Sequence, residues 1–96
     1  MAYPTRVQLV ANLDRVIAEM SQAGPELWAT HETHQILTSL RDYLDNTADH
    51  GGRLSGEAVQ EIAHAYLAGW REHYGPLDPA RRRDLSTRLR AAGLTL

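Results

Sequence analysis

Residues 5–20 read TRVQLVANLDRVIAEM, and this stretch shows how the whole chain is built. Thr5 with Gln8 three residues later is typical of a capping box, in which each side chain bonds the other residue's backbone amide. Apolar residues then recur at the spacing of one helical face: Leu9, Val10, Leu13, Val16, Ile17 and Met20. The opposite face carries Asn12, Arg15, Ala18 and Glu19. We therefore expect a helix from Arg6 to Ser21 that packs along one stripe.

The rest of the chain repeats this order of helix start, apolar stripe and helix stop. Gly24, Ser55 and Asp78 are predicted N-caps, and Pro25 and Pro79 take the first helical position behind two of them. Glycines stand where helices are expected to end, at Gly51, Gly75 and Gly93. The further helices are predicted from Pro25 to Asn46, from after Ser55 to Tyr74, and from Pro79 to Ala92.

Each further helix has its own apolar face. On the second helix this face comprises Thr33, Ile36, Leu37, Leu40, Tyr43, Leu44 and Thr47. On the third it comprises Val59, Ile62, Ala63, Tyr66, Leu67, Trp70 and Tyr74, and on the short fourth Leu85, Leu89 and Ala92. Because short turns favour antiparallel neighbours, we expect a single helical domain over residues 1–96. Its predicted fold is all-α, a small up-and-down four-helix bundle with three longer helices and a short C-terminal fourth.

The amino-acid composition indicates the class of protein and its cellular compartment. A chain of 96 residues with 43% apolar and 23% charged residues is typical of one globular domain. Cysteine is absent, which excludes disulfides, thiol catalysis and cysteine-ligated zinc. The sequence contains no apolar run of membrane-spanning length and begins without the pattern of a secretory signal. We expect a cytoplasmic protein that does not engage a membrane.

The third helix carries more apolar and small residues than one buried face needs. Ala58, Ala65 and Gly69 form a strip of small side chains, and a glycine in mid-helix costs about 1 kcal/mol relative to alanine. The pattern predicts close approach by another helix or by a second chain. The alternative is that the fourth helix and Leu94–Leu96 cover this surface within the monomer.

No catalytic constellation or nucleotide-binding loop remains once the helix caps are accounted for, so no catalytic residue and no cofactor is predicted. We expect a small non-enzymatic helical protein-interaction module, an adaptor, regulator or accessory subunit, whose partner is another protein or a second copy of itself. Tryptophan is enriched at binding hot spots. The predicted interaction residues are Trp28, Ala65, Gly69, Trp70 and Tyr74.

An arginine-rich fourth helix supports a second hypothesis, a helix-turn-helix-like nucleic-acid-binding regulator. All ten basic residues of the chain are arginine, and residues 81–90 carry a net charge of +4 although the whole chain is at −2. The candidate contacts to nucleic acid are Arg81, Arg82, Arg83, Arg88 and Arg90. Against this, arginines that flank an apolar stripe often pair with acids, and the second helix offers Asp42, Asp45 and Asp49.

The five histidines support a third hypothesis, a histidine-based metal-binding helical protein. His31 and His34 lie three residues apart, close enough in a helix to share an ion. A zinc site through them needs two further ligands from elsewhere in the chain or from a second chain. Glu61 and His64 form a Glu-x-x-His pair, but both point away from the apolar face, which argues against an inward-facing di-iron centre.

Overall fold

The computed structural model describes residues 3–22, 31–48, 54–74 and 78–95, and for positions 31, 32, 73 and 74 it describes the backbone only. Over these ranges the regular structure consists of helices: α1 (Arg6–Gln22), α2 (His31–Asp45), α3 (Gly56–Tyr74) and α4 (Pro79–Ala92). Within the same ranges no helix has both the length and the apolar character needed to cross a membrane. The predicted all-α four-helix bundle is confirmed.

The helix boundaries follow the sequence signals closely. The α1 helix extends one residue beyond Ser21, α2 ends one residue before Asn46, and α4 has the predicted bounds. The predicted start of α2 at Pro25 lies outside the described residues, as do the predicted cap positions Gly24, Gly51 and Gly75. Within the described residues α1 has 17 residues, α2 has 15 and α3 has 19, against 14 in the C-terminal helix α4.

The predicted N-caps within the described residues are in place. The Gln8 amide donates to Thr5 Oγ1 at 3.2 Å and the Thr5 amide donates to Gln8 Oε1 at 3.0 Å, which completes the capping box. The Ser55 hydroxyl accepts from the amide three residues later at 3.1 Å. The Asp78 carboxylate accepts from the Arg81 amide at 3.0 Å. These bonds satisfy helix N–H groups that have no partner inside the helix.

The C-terminal end of α4 is closed by Gly93. Its φ of 107° lies in the left-handed region, which glycine adopts without the steric cost of a Cβ. The Gly93 amide donates to the Arg90 carbonyl at 3.0 Å and the Leu94 amide to the Leu89 carbonyl at 2.9 Å. This is the Schellman pairing, and it turns Leu94 back onto the helix, where its side chain is buried.

Four helix ends meet at one end of the bundle, which we call the tied end: the starts of α1 and α3 and the ends of α2 and α4. The Arg6 guanidinium donates to two carbonyl oxygens in the last turn of α2, each at 3.2 Å. A Cβ placed on Gly56 would lie 2.8 Å from the Cβ of Tyr3, and one on Gly93 would lie 3.1 Å from Cγ of Pro4. Successive helices therefore run in opposite directions.

The core lies where the apolar stripes converge on α2, which packs against all three other helices. Its fully or nearly buried aliphatic side chains are Leu9, Val10, Leu13, Val16, Met20, Leu37, Leu40, Leu44, Val59, Ala63, Leu89, Ala92 and Leu94. Ile36 is also buried, 1% exposed. The predicted stripes of α1 and α2 are thus buried along most of their length, whereas α3 places only Val59 and Ala63 in this set.

Tyr43 departs from the predicted apolar face of α2. Its side chain is 47% exposed and stacks on Tyr66 of α3, with ring centroids 4.6 Å apart and an interplanar angle of 19°. The two rings lie at the edge of the α2–α3 contact. The α3 helix packs mainly against α2, which leaves much of its circumference open. For this reason three apolar side chains of α3 are only partly buried: Ile62, Tyr66 and Leu67.

Candidate functional site

The outward side of α3 combines small side chains with acids. We call this surface the α3 face, and it consists of the exposed residues Glu57, Glu61, Ala65, Ala68, Gly69 and Glu72. Two of the predicted interaction residues, Ala65 and Gly69, lie together on it. Trp70 is half-buried and makes an interaction of its own. The side chain of Tyr74 and the whole of Trp28 lie outside the described residues.

Gly69 is the least explained residue of this face. It lies inside α3, it is exposed, and apart from its own helix backbone and its two sequence neighbours a Cβ built on it would meet no described atom within 4 Å. The expected close approach by another helix is therefore wrong for the helices that the structure describes. Glycine in mid-helix lowers helix stability, because its unfolded backbone has more freedom to lose. Packing within the described chain gives no compensation for this cost.

The C-terminal tail covers a different side of α3. Gln60 is 5% exposed, donates from Nε2 to the Gly93 carbonyl at 2.9 Å and accepts at Oε1 from the Thr95 amide at 2.9 Å. The Thr95 hydroxyl donates to the same oxygen at 3.1 Å. Gln60 and Gly69 are nine residues apart, so at 3.6 residues per turn they lie about 180° apart around the helix. The described part of the tail thus leaves the α3 face uncovered.

Polar side chains of α1 take part in packing that the helical pattern did not predict. Asn12, expected on the solvent side, is half-buried and donates to the Ala92 carbonyl at 2.9 Å. Arg15 approaches the Ala91 carbonyl at 3.4 Å. Both satisfy acceptors at the C-terminal end of α4, where carbonyl groups have no partner inside the helix and the helix dipole favours positive charge.

The acids of α2 have a different partner from the one expected. Arg41 donates from Nε to Asp14 Oδ1 of α1 at 2.8 Å, and its Nη1 lies 3.2 Å from Asp42 Oδ1 and 3.6 Å from Asp45 Oδ2. The hydrogen bond to Asp14, followed by the one to Asp42, raises the pKa of Arg41. The idea that Asp42 and Asp45 pair with the arginines of α4 is therefore wrong, because Arg41 is nearer on their own helix. Asp49 lies outside the described residues.

The arginines of α4 divide into two sets. Arg81 pairs with Asp78 at 3.3 Å and Arg88 pairs with Asp84 at 3.0 Å, so these acids come from the helix itself or from its cap. Arg82, Arg83 and Arg90 are exposed, and Arg82 makes an interaction of its own. We use the term α4 face for the exposed outward residues Ala80, Arg83, Thr87, Arg90 and Ala91.

The structure describes the side chains of two histidines, His34 and His64. His34 Nε2 lies 3.4 Å from Ser21 Oγ, whose hydroxyl in turn donates to the Ile17 carbonyl at 3.0 Å. The side chain of His31 lies outside the described set, so the predicted His31–His34 pair has one described member. Among the described residues no group of three or more potential ligands is placed to hold a metal ion.

Comparison with known proteins does not assign this chain to a family. No protein-family model matches this chain, and neither a curated protein nor a solved structure matches it. The features that bear on function are therefore the α3 face, the α4 face and the contacts of the residues around them.

Proposed function

We propose that this chain is a cytoplasmic, non-enzymatic helical interaction module, an adaptor, regulator or accessory subunit that binds another protein or a second copy of itself through the α3 face. One observation carries the proposal: Gly69 lies exposed inside the 19-residue helix α3, and apart from its own helix backbone and sequence neighbours no described atom lies within 4 Å of the Cβ that it lacks. Approach of a partner to this position would give a physical reason for a residue that weakens the helix and serves no packing among the described residues.

The surroundings of Gly69 suit a close helix–helix contact. Ala65 and Ala68 beside it are also exposed, and small side chains let a second backbone come nearer than larger ones do. Trp70 follows Gly69 directly in sequence but is half-buried, and at about 100° per residue it lies on the side of α3 that also carries the buried Val59 and Ala63.

The test compares two leucine substitutions at exposed helix positions. Gly69→Leu fills the α3 face, whereas Ala18→Leu adds a similar side chain to the exposed side of α1. Tagged chains are used to capture proteins from nuclease-treated extract of the native host, and circular dichroism verifies that both variants fold. We expect a stoichiometric partner to elute with the wild type and Ala18→Leu and to be lost from Gly69→Leu. Equal capture by a folded Gly69→Leu chain, or no capture by the wild type, would contradict the proposal.

Nucleic-acid binding through α4 is the second candidate, and the exposure of Arg83 and Arg90 favours it. Its support is weaker because Arg81 and Arg88 are neutralised by neighbouring acids. Binding to nucleic acid gains mainly from unneutralised arginines that replace counterions on phosphates. Of the pair predicted to bind zinc, His31 and His34, the structure describes the side chain of His34 only, and that ring contacts a serine. Metal content of the purified protein, measured with and without chelator, tests it directly.

A further inference from the structure

The α3 face carries unbalanced negative charge. Glu57, Glu61 and Glu72 are exposed, and in the part of the chain that the structure describes none of them forms an ion pair. Glu57 and Glu61 are four residues apart, where like charges on a helix repel each other. The positive residue of this region, Arg71, is exposed at the border of the face rather than between the glutamates. The centre of the face is uncharged, since Ala65, Ala68 and Gly69 lie there.

The α4 face carries the opposite charge. Arg83 and Arg90 are exposed, and neither has an ion-pair partner among the described residues. The acid within α4, Asp84, is bound to Arg88 at 3.0 Å and is not available to them. Between the two arginines lies the exposed Thr87, so this face also has a small uncharged centre between two charged ends.

The spacing of the charges on the two faces is compatible. Arg83 and Arg90 are seven residues apart, about 10.5 Å along the helix axis at 1.5 Å per residue. Glu61 and Glu72 are eleven residues apart, about 16.5 Å by the same rise. When the two helices lie side by side, with the midpoint of the arginine pair opposite the midpoint of the glutamate pair, each arginine lies about 3 Å along the axis from the nearer glutamate. A long, flexible arginine side chain spans such an offset while Thr87 lies over the alanines.

We infer that two copies of this chain dock head to tail, with the α4 face of one copy on the α3 face of the next. The inference rests on the proposed function and names its partner as a second copy of the chain. Contact of the α3 face with another α3 face is disfavoured, because an antiparallel arrangement centred on Ala65 and Ala68 sets Glu61 against Glu72 of the other copy. A head-to-tail contact joins different surfaces, so it extends into a ring or an open chain.

Charge reversal tests the contact by sedimentation velocity over a series of protein concentrations. The α4-reversed chain is Arg83→Glu/Arg90→Glu, and the α3-reversed chain is Glu61→Arg/Glu72→Arg. Each should weaken self-association at least about tenfold, because two attractive pairs become repulsive. Association of the wild type should weaken as ionic strength rises, since salt screens exposed charges. Ala11→Glu/Ala18→Glu, on the exposed side of α1, serves as the surface control and should associate like the wild type.

Combining the α4 and α3 charge reversals gives the most decisive test of the contact. A chain with all four reversals has the net charge of the wild type and restores complementarity, so it should regain association. An equimolar mixture of the α4-reversed and α3-reversed chains should also associate, although neither does so by itself. Failure of both rescues, with all chains folded, would overturn the head-to-tail contact.

Other outcomes separate this inference from the proposed function. A wild type that stays monomeric at every concentration overturns the inference, whereas capture of a different protein that is lost in Gly69→Leu would still support the proposed function. Self-association that is unchanged by every charge reversal but abolished by Gly69→Leu would likewise support the α3 face as the binding surface and would exclude the α4 face as its partner. A monomeric wild type that shifts duplex DNA, with the shift lost in the α4-reversed chain, would assign the α4 face to nucleic acid and overturn the inference.

Discussion

The tied end and the α3 face use the same residue type in opposite ways. At the tied end, Gly56 and Gly93 stand where Tyr3 and Pro4 touch the backbone, so a side chain there would collide with the chain itself. On the α3 face, Gly69 has open space around it in the described structure. Glycine at the tied end therefore serves folding, whereas packing within the described chain does not explain Gly69. Substitutions in the two regions should therefore change stability with opposite signs.

The largest expected effect at the tied end comes from Gln60→Ala. This change removes all three hydrogen bonds between Gln60 and the C-terminal tail and leaves polar groups of Gly93 and Thr95 without their partner in a partly buried site. We expect a loss of about 2–3 kcal/mol in the free energy of unfolding, measured by urea denaturation. Gln22→Ala, at the exposed end of α1, is the control and should cost less than about 0.5 kcal/mol. Equal effects of the two changes would mean that the tail is not held through Gln60.

A smaller loss is expected from Gly93→Ala. The backbone there has a φ of 107°, and a Cβ would also lie 3.1 Å from Cγ of Pro4. We expect a loss of about 1–2 kcal/mol in the free energy of unfolding, since left-handed backbone is strained for residues with a Cβ. Gly93→Asn should lose less than Gly93→Ala, because asparagine tolerates this conformation better. An alanine variant as stable as the wild type would show that α4 ends in another conformation.

The third change, Gly56→Ala, tests the contact with the N-terminal segment. The added Cβ would come within 2.8 Å of Tyr3 Cβ and 2.9 Å of the Tyr3 carbonyl oxygen, so one of the two segments has to shift. Tyr3 is 41% exposed and near the chain start, so the expected loss is roughly 1 kcal/mol, the lower end for overpacking. Thermal unfolding of a variant that also carries Tyr3→Gly separates the two causes. Removing the Tyr3 side chain should recover part of the loss, and no recovery would place the strain in the carbonyl contact.

Local features of the sequence were sufficient to predict the helices. The capping box at Thr5, the Asp78 cap and the glycine stop at Gly93 each depend on residues within a few positions of one another, so they can be identified without the tertiary structure. The apolar stripes of α1 and α2 were predicted for the same reason. Tyr43 was placed wrongly, because helical periodicity gives the direction of a side chain but not how far the neighbouring helix extends to cover it.

Contacts between distant residues were beyond the sequence patterns. Gln60 meets the tail 33 and 35 residues later, and Arg41 meets Asp14 from a different helix. Nothing in their local sequence distinguishes them from other polar residues on helices. The α3 face had a partial signal, because glycine in mid-helix indicated a surface of interest at position 69. The sequence did not say whether a helix of the same chain covers it, since that depends on how the bundle is arranged.

The smallest expected effect, at Gly69, shows whether the α3 face is open in the folded chain. Gly69→Ala adds a methyl group where the structure has open space and removes the backbone freedom that glycine has in the unfolded chain. We predict a gain of about 0.5–1 kcal/mol in the free energy of unfolding of the dilute protein, measured by urea denaturation beside Gly56→Ala and Gly93→Ala. An open α3 face and a closely packed tied end require a gain at 69 together with losses at 56 and 93. A loss at 69 would show that part of the folded chain already packs against this position, and would contradict an open α3 face.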